Sequence, residues 1–190
     1  MYNDIRVLKN ELRAEYRQKR QDLNPQVKAE LDSKIANRFL SSLSYKYANQ
    51  ILLYASTEDE ISTKEIFEKA RKDGKKCFFP HCFENSKMNY YRADSEEELV
   101  EDKFNIKAPL ETAEIYVPQP SDICIVPAMA YDKKGFRLGY GKGFYDRFLP
   151  NFLGIKTGFC YSDFITDKLP RGRFDISVDM IITEKGVILL

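Results

Sequence analysis

Residues 137–146, RLGYGKGFYD, combine the residue types that bind phosphate groups. Three glycines alternate in this segment: Gly139, Gly141 and Gly143. Glycine permits positive φ angles and close backbone approach, so that N–H groups can converge on phosphate oxygens. Arg137 and Lys142 supply positive charge, and Asp146 is within reach of a metal ion that bridges phosphates. The segment therefore predicts an anion site.

The segment matches neither of two common phosphate-binding motifs. A P-loop requires glycine where Phe136 stands and a hydroxyl residue where Gly143 stands. The dinucleotide motif GxGxxG requires a third glycine where Phe144 stands. Because no motif fits, the spacing alone leaves an alternative open: a mobile surface loop in which Asp146 pairs with a neighbouring basic residue.

A second cationic feature lies near the amino terminus. Four basic residues recur there at intervals of four, four and three: Lys9, Arg13, Arg17 and Arg20. This spacing places them on one side of a helix, and we expect that side to lie opposite an apolar face that includes Leu8, Leu12 and Tyr16. The stripe predicts either further phosphate contacts or a solvated helix face.

The composition limits the class of protein. With 190 residues, 43% of them hydrophobic and 31% charged, the chain is expected to form one globular domain over residues 1–190. Its 30 lysines and arginines nearly balance 29 aspartates and glutamates, so the net charge does not indicate a nucleic-acid partner. The charged amino-terminal sequence does not resemble a signal peptide, and no apolar run approaches the roughly 20 residues of a membrane span. We therefore expect a cytoplasmic protein without a membrane partner.

Histidine and cysteine usage also narrows the chemistry. His81 is the only histidine, which argues against a zinc site and against most histidine-based catalysis. The cysteines lack paired C-x-x-C spacing and are expected to be buried free thiols: Cys77, Cys82, Cys124 and Cys160. A hard cation held by carboxylate and phosphate oxygens remains compatible with this composition.

The elements that must position these residues alternate along the chain. Helical periodicity occurs on both sides of Asn24-Pro25, after Ser62-Thr63 and, as a short helix, within residues 94–102. Apolar strand patterns cover residues 50–55, 75–80, 88–93, 122–128, 154–161 and 178–184. The alternation predicts an α/β sandwich with a largely parallel sheet. Ligands of such sheets bind at the carboxyl ends of strands, and the glycine segment follows one of them.

Four segments, taken together, resemble the 5-formyltetrahydrofolate cyclo-ligase family in sequence and in order. They are KNELR (9–13), STEDEIST (56–63), IVPAMAYDKKGFRLGYGKGFYDRFL (125–149) and LP…FDISVDMIITE (169–184). The resemblance implies a three-layer α/β/α fold with a Rossmann-like sheet, and an enzyme that depends on ATP and Mg²⁺. In that family the formyl oxygen of 5-formyltetrahydrofolate attacks the γ-phosphate, and a folate nitrogen then closes the ring. The products are 5,10-methenyltetrahydrofolate, ADP and phosphate.

The resemblance also implies roles for individual residues. Contacts to ATP are implied for Lys9, Arg13, Arg137, Leu138, Gly139, Tyr140, Gly141, Lys142, Gly143, Phe144 and Tyr145, with Arg137 and Lys142 as catalytic cations. Contacts to the folate are implied for Ala55, Glu60, Met88, Phe104, Phe144 and Tyr145, and Mg²⁺ ligation for Asp146 and Asp179. Core packing is the alternative for Met88 and Phe104, and a strand-end aspartate is the alternative for Asp179. The implied partners are the reduced folate and ATP, bound by a monomer or weak dimer.

Three positions depart from the family pattern. Tyr140 stands where some members carry arginine, Phe144 replaces a frequent tyrosine, and Phe174 stands where many members carry histidine. Two other classes of function stay open from sequence. One is a sugar-phosphate isomerase or CoA-transferase relative on a similar fold. The other is a nucleotide-sensing or nucleic-acid-binding module that uses the basic helix.

Overall fold

The computed structural model of this chain describes residues 4–84, 86–102 and 106–190. The helices are α1 (Ile5–Gln21), α2 (Pro25–Leu40), α3 (Leu43–Tyr47), α4 (Lys64–Lys72) and α5 (Phe144–Phe148). The strands are β1 (Gln50–Leu52), β2 (Lys76–Cys82), β3 (Met88–Arg92), β4 (Val100–Glu101), β5 (Lys107–Ala108), β6 (Ile123–Val126), β7 (Ala130–Asp132), β8 (Arg137–Leu138), β9 (Ile155–Phe159), β10 (Ile165–Thr166), β11 (Met180–Ile182) and β12 (Val187–Leu189).

Seven strands form the central sheet in the order β12-β11-β9-β6-β1-β2-β3. The five strands from β11 to β2 are parallel, and the edge strands β12 and β3 run antiparallel to their neighbours. All four residues of β6 are buried, as expected for a strand covered on both faces. The predicted α/β class with a mostly parallel sheet is therefore confirmed.

Adjacent residues of β2 show what covers each face of the sheet. Phe79 packs edge-on against Phe67 of α4, whereas Phe78 packs against Tyr116. Because consecutive strand residues point to opposite faces, α4 and Tyr116 lie on opposite sides of the sheet. Helix α2 packs with α4, and Phe148 of α5 contacts Tyr90 on the face of Tyr116. The arrangement thus has helices on both faces, with one short helix in the second layer.

Side chains at the helix ends account for several boundaries. The Asn24 carboxamide oxygen accepts a hydrogen bond from the Gln26 N–H at 2.9 Å, and Pro25 is the first residue of α2. Gly74, with φ +74°, follows α4 and ends it as predicted. Within residues 94–102 the predicted short helix is present as a single 3-10 turn at Glu96–Glu98, with Ser95 at its N-cap position.

The basic stripe of α1 does not lie on a uniformly solvated face. Arg17 is exposed, but Arg20 is only 5% exposed, and Lys9 and Arg13 are partly buried. The predicted opposition of basic and apolar faces is therefore wrong: α1 packs against the β8 region with Lys9 and Arg13 on its inner side. The apolar residue Ile5 is 43% exposed. Packing partners, which helical periodicity does not encode, decide which face is buried.

The structure confirms the prediction of buried free thiols. The cysteines are free and buried: Cys77, Cys82, Cys124 and Cys160. His81 lies in β2, and its Nδ1 is 3.0 Å from the Pro109 carbonyl oxygen. Among the described residues, no helix has the length and apolar character required to cross a membrane.

Candidate active site

The glycine segment follows a β-hairpin that the sequence pattern did not predict. Strands β7 and β8 pair antiparallel, and Asp132 holds their turn by accepting hydrogen bonds from the Lys134 and Phe136 N–H groups at 2.9 and 3.1 Å. The chain leaves β8 at Leu138 and enters the glycine segment. Gly141 and Gly143 have φ angles of +101° and +68° there, and Gly143 is the N-cap of α5.

Helix α1 lies directly against this segment. The Arg13 Nε donates to the Gly139 carbonyl oxygen at 2.8 Å, and its Nη1 donates to Asn10 at 2.6 Å. A Cβ atom at Gly141 would lie 3.3 Å from Arg13 Cζ, so the missing side chain leaves room for the guanidinium. The two cationic segments recognised in the sequence are therefore neighbours in the fold.

Arg137 and Asp146 form an ion pair beside this contact. The Arg137 Nη2 lies 2.6 Å from Asp146 Oδ1, and its Nη1 donates to the Ile176 carbonyl oxygen at 2.8 Å. The Ile176 N–H donates to the same Asp146 oxygen at 3.2 Å. The Arg137 side chain is 5% exposed and the Asp146 side chain 26% exposed, so the carboxylate is the more accessible partner.

Asp175, one residue before Ile176, brings a second carboxylate to this region. Its Oδ2 lies 2.5 Å from the Lys9 Nζ of α1 and accepts the Gly172 N–H at 2.9 Å. The charge of Asp175 also acts on the neighbouring Arg13: desolvation lowers the pKa of Arg13, and Asp175 partly counteracts that shift. Lys9, Arg13, Asp175 and Asp146 thus belong to one connected set of charged groups.

Asp179 lies elsewhere. It directly precedes β11, and its Oδ2 accepts the Lys156 N–H at 2.7 Å and lies 2.9 Å from the Lys156 Nζ. Lys156 is the second residue of β9, so this contact is at the amino ends of the parallel strands. Asp179 thus contacts Lys156, whereas Asp146 contacts Arg137 and Ile176, and the Mg²⁺ role of Asp179 stays a prediction. Among the described residues, no group of three or more His, Cys, Asp or Glu side chains is arranged to hold a metal ion.

Glu60 lies on the loop that follows the carboxyl end of β1. Its Oε2 accepts hydrogen bonds from the Thr57 N–H and hydroxyl at 3.0 and 3.2 Å. Three tyrosine hydroxyls feel its charge: Tyr54, Tyr140 and Tyr145. For each of them desolvation is the main cause that raises the pKa, and the Glu60 carboxylate raises it further. At neutral pH these hydroxyls are therefore protonated.

Helix α5 begins with two aromatic residues, Phe144 and Tyr145. Phe144 and Tyr145 are partly buried and pack against the core. The Tyr90 hydroxyl donates to the Tyr145 hydroxyl at 3.1 Å, and the Arg137 guanidinium lies 5.9 Å from the centre of the Tyr145 ring. Tyr145 thus lies between the Arg137–Asp146 ion pair and the Glu60 region.

Comparison with known proteins agrees with this geometry. A sequence model of the 5-formyltetrahydrofolate cyclo-ligase family matches residues 6–184. The chain belongs to this family. The 5-formyltetrahydrofolate cyclo-ligase of Escherichia coli K12 is 29% identical over 177 residues, which cover 90% of this chain and 97% of the relative. The resemblance found in the sequence is confirmed, and so is the prediction of an enzyme of this family.

Solved structures of family members have the same fold. The 5,10-methenyltetrahydrofolate synthetase of Aquifex aeolicus superposes with a TM-score of 0.85 and 34% identity, over 96% of this chain and 93% of the other. The 5,10-methenyltetrahydrofolate synthetase of Mycoplasma pneumoniae superposes with a TM-score of 0.75 and 26% identity, over 93% and 98% of the two chains. The cyclo-ligase fold therefore covers nearly all of the sequence.

Several residues that the family resemblance singled out have distinct environments. Ala55 is partly buried against the core, three residues beyond the end of β1. Met88 is 7% exposed within β3, in agreement with the core-packing alternative. Phe104 lies outside the described residues. The departure Phe174 is 68% exposed, with the Arg173 guanidinium 4.5 Å from its ring centre.

Tyr140, another residue that departs from the family pattern, has a specific environment. Although its surface is 43% exposed, desolvation of the hydroxyl and the negative charge of Glu60 raise its pKa. Tyr140, a residue of the glycine segment, therefore interacts electrostatically with Glu60. Sequence reasoning missed this relationship because residues 60 and 140 are far apart in the chain.

Sequence reasoning also passed over Asp175. The signal was present, since FDISVD contains two aspartates, Asp175 and Asp179, four positions apart. Only the second was chosen. Which aspartate lies near α1 depends on where β11 starts. Asp175 precedes β11 by five positions and contacts Lys9 of α1. Asp179 directly precedes β11, so the register of β11 against β9 fixes its position.

Proposed function

We propose that this protein converts 5-formyltetrahydrofolate to 5,10-methenyltetrahydrofolate at the expense of ATP, in the cytoplasm, with Mg²⁺ as the metal ion. In this reaction the formyl oxygen attacks the γ-phosphorus of ATP, and the bond from phosphorus to the ADP oxygen breaks. The N10 nitrogen then attacks the activated formyl carbon. Phosphate leaves with the former formyl oxygen, N10 loses its proton, and the methenyl bridge results.

One observation carries the proposal: the charged groups of α1, the glycine segment and the Glu60 loop converge near the carboxyl ends of β1 and β6. Arg13 contacts Gly139, while Glu60 acts on Tyr140, the next residue of the same segment. A triphosphate and a reduced folate could therefore be bound side by side across a few residues. That proximity is what direct transfer of the γ-phosphoryl group to a folate oxygen requires.

On the nucleotide side, Lys9, Arg13 and Lys142 would neutralise the triphosphate, with N–H groups of residues 139–143 as further donors. Phosphoryl transfer mainly requires positioning and charge neutralisation, so no histidine or protein nucleophile is needed. Arg137 would act through Asp146, because its guanidinium already contacts that carboxylate and the Ile176 carbonyl oxygen. Its charge would still contribute to the field at the phosphates.

For the magnesium ion we propose Asp146, as the sequence predicts, with Asp175 in place of the predicted Asp179. The Asp146 side chain is 26% exposed and accepts the Ile176 N–H. The Asp175 side chain is 19% exposed and pairs with Lys9 of α1. Magnesium is commonly held by one or two carboxylates together with substrate phosphates, and a pair of carboxylates meets that need. Bound there, the ion would supply neutralisation of phosphate charge. Lys9 would position Asp175, and Arg137 would position Asp146.

On the folate side, Glu60 would accept hydrogen bonds from N–H groups of the pterin ring. A carboxylate that pairs with such donors fixes the orientation of the ring as well as its affinity. Tyr54, Tyr140 and Tyr145 are protonated near neutral pH. The Tyr54 hydroxyl already donates to the Ile61 carbonyl oxygen at 2.8 Å and the Tyr140 hydroxyl interacts with Glu60, so Tyr145 is the hydroxyl that would donate to the substrate. Phe144 and Tyr145 would supply flat apolar surface for the ring system.

The decisive experiment mixes the purified protein with 5-formyltetrahydrofolate, Mg²⁺ and ATP, and follows the near-ultraviolet absorbance of the methenyl product. We expect product formation that requires ATP and releases one phosphate per turnover. Arg13→Met should raise the KM for ATP by about tenfold, because a charge-assisted contact is lost. The control Lys19→Met, at an exposed position of the same helix, should leave it unchanged. Turnover without ATP would instead favour the isomerase or CoA-transferase alternative, and binding without turnover would favour a nucleotide-sensing module.

A further inference from the structure

Arg20, near the end of α1, has an environment that the proposed reaction does not explain. It is 5% exposed, and its guanidinium donates to main-chain carbonyl oxygens of other segments. Nη1 lies 2.6 Å from the Asp59 oxygen, and Nη2 lies 2.6 Å from the Ala128 oxygen and 3.2 Å from the Met129 oxygen. These are short contacts of good hydrogen-bond length.

The carbonyls belong to both substrate-facing regions. Asp59 immediately precedes Glu60, and Ala128 and Met129 connect β6 with the hairpin β7–β8 that carries the glycine segment. The amino-terminal half of α1 contacts that glycine segment through Arg13. A single buried side chain therefore joins α1, the Glu60 turn and the base of the hairpin.

The Glu60 turn, residues 57–60, is anchored at its flanks, where the Tyr54 hydroxyl donates to the Ile61 carbonyl oxygen at 2.8 Å and the Thr63 hydroxyl donates to the Tyr54 carbonyl oxygen at 2.6 Å. Its residues Thr57, Glu58 and Asp59 are exposed, so the turn buries little apolar surface. Internally, the Glu60 N–H donates to the Thr57 carbonyl oxygen at 3.1 Å, and the Thr57 N–H donates to Glu60 Oε2 at 3.0 Å. These bonds shape the turn but do not set its position relative to the glycine segment. Arg20 supplies a contact that does.

Stability alone does not account for a guanidinium at this position. Removing a cation from water is costly, and in the described part of the chain no carboxylate lies within ion-pair distance of Arg20. Its Nε is buried without a hydrogen-bond partner. Well-packed apolar residues often serve stability as well as or better than a buried charge. The guanidinium instead fixes the relative position of two segments, because its planar group donates hydrogen bonds to both of them at once.

We infer that Arg20 is a positioning residue that holds the Glu60 turn in register with the glycine segment and thereby sets the affinity for the reduced folate. This inference rests on the proposed function. Arg20 does not touch substrate itself, and it acts through Glu60. Its loss should therefore weaken folate binding much more than ATP binding.

The test measures KM for 5-formyltetrahydrofolate and for ATP in Arg20→Met, with Arg17→Met as the exposed control on the same helix. We expect the folate KM of Arg20→Met to rise about tenfold, the ATP KM to change less than about twofold, and the control to match the wild type. Equal rises in both KM values, in parallel with a lower melting temperature, would mean that Arg20 is only structural and would overturn the inference.

A double-mutant cycle with Glu60→Gln separates positioning from general destabilisation. If Arg20 acts through Glu60, adding Arg20→Met to Glu60→Gln should raise the folate KM by less than about twofold further. Independent, multiplicative effects would overturn the inference. Arg20→Lys, which keeps the charge but not the fork, should raise the folate KM about threefold in a normally folded protein. This variant decides the question if Arg20→Met does not fold, and an unchanged folate KM would contradict the role.

The wild-type protein, assayed in parallel, separates the two proposals. An inactive wild type overturns the proposed function and, with it, this inference. An active wild type with unchanged kinetics in the Arg20 variants overturns the role of Arg20 alone.

Discussion

The guanidinium of Arg137 and the carboxylate of Asp146 face each other across the glycine segment, with 2.6 Å between Nη2 and Oδ1. Nine positions separate them in the chain, and the turn of the glycines brings them together. Both also bond to Ile176, which follows Asp175. The ion pair therefore links the glycine segment to the loop that carries Asp175.

Different consequences are expected when the two members of this pair are replaced. Asp146→Asn should lower kcat by at least about 100-fold, because a carboxylate is lost where phosphate charge must be neutralised. Arg137→Met should lower the free energy of unfolding by about 2–3 kcal/mol, because the partly buried Asp146 carboxylate loses its partner. Steady-state kinetics and urea unfolding measure the two effects. A fully active Asp146→Asn variant would contradict the proposed role of Asp146.

The two aspartates of FDISVD should differ in their effect on the metal requirement. Asp175→Asn is expected to raise the Mg²⁺ concentration for half-maximal rate by about tenfold, since one of two carboxylate ligands becomes a weaker neutral donor. Asp179→Asn should leave that concentration unchanged, because Asp179 contacts Lys156 at the other edge of the sheet. Magnesium titrations of the initial rate test both variants. The reverse order of effects would restore Asp179 as the ligand.

Alanine should be tolerated at Gly139 but not at Gly141. Gly141→Ala places a Cβ 3.3 Å from Arg13 Cζ at a φ of +101°, and we expect a loss of about 1–2 kcal/mol in the free energy of unfolding. At Gly139 the φ angle is not positive, and the nearest atom to a new Cβ is 3.9 Å away. Gly139→Ala should change stability by less than about 0.5 kcal/mol. Urea denaturation of the pair checks this, and equal losses would contradict the backbone geometry.

Alkaline pH should destabilise the protein through its buried thiols. Burial raises the pKa of Cys77 from 9.0 to about 12 and that of Cys82 from 9.0 to about 11. Between these values and 9 the unfolded chain loses thiol protons that the folded chain keeps, so stability falls as the pH rises. Each such thiol should contribute roughly 1.4 kcal/mol per pH unit in that window.

Urea unfolding between pH 7 and 10.5 measures this dependence. The control Cys77→Ala should show a shallower decline than the wild type, by the share of one thiol. Identical pH profiles for the two proteins would show that Cys77 titrates alike in the folded and unfolded states.

Local patterns were sufficient for the fold class and for recognising the segments that form the candidate site. The buried strands, the Asn24 cap and the glycine segment are recognisable because each depends on neighbours in sequence. The β7–β8 hairpin escaped prediction because its strands have three and two residues, too short to show a period of two. The short helix expected within residues 94–102 is present as a single 3-10 turn at Glu96–Glu98.

The sequence by itself determined the family, and it predicted that RLGYGKGFYD and the basic first helix bind phosphate together. Tertiary structure alone decided which charged residues face the site. It turned Arg20 inward onto three carbonyl oxygens, paired Arg137 with Asp146, and brought Asp175 rather than Asp179 to α1. The reason is physical: helical spacing and residue type fix which groups share a face, but the direction of that face depends on long-range packing and strand register.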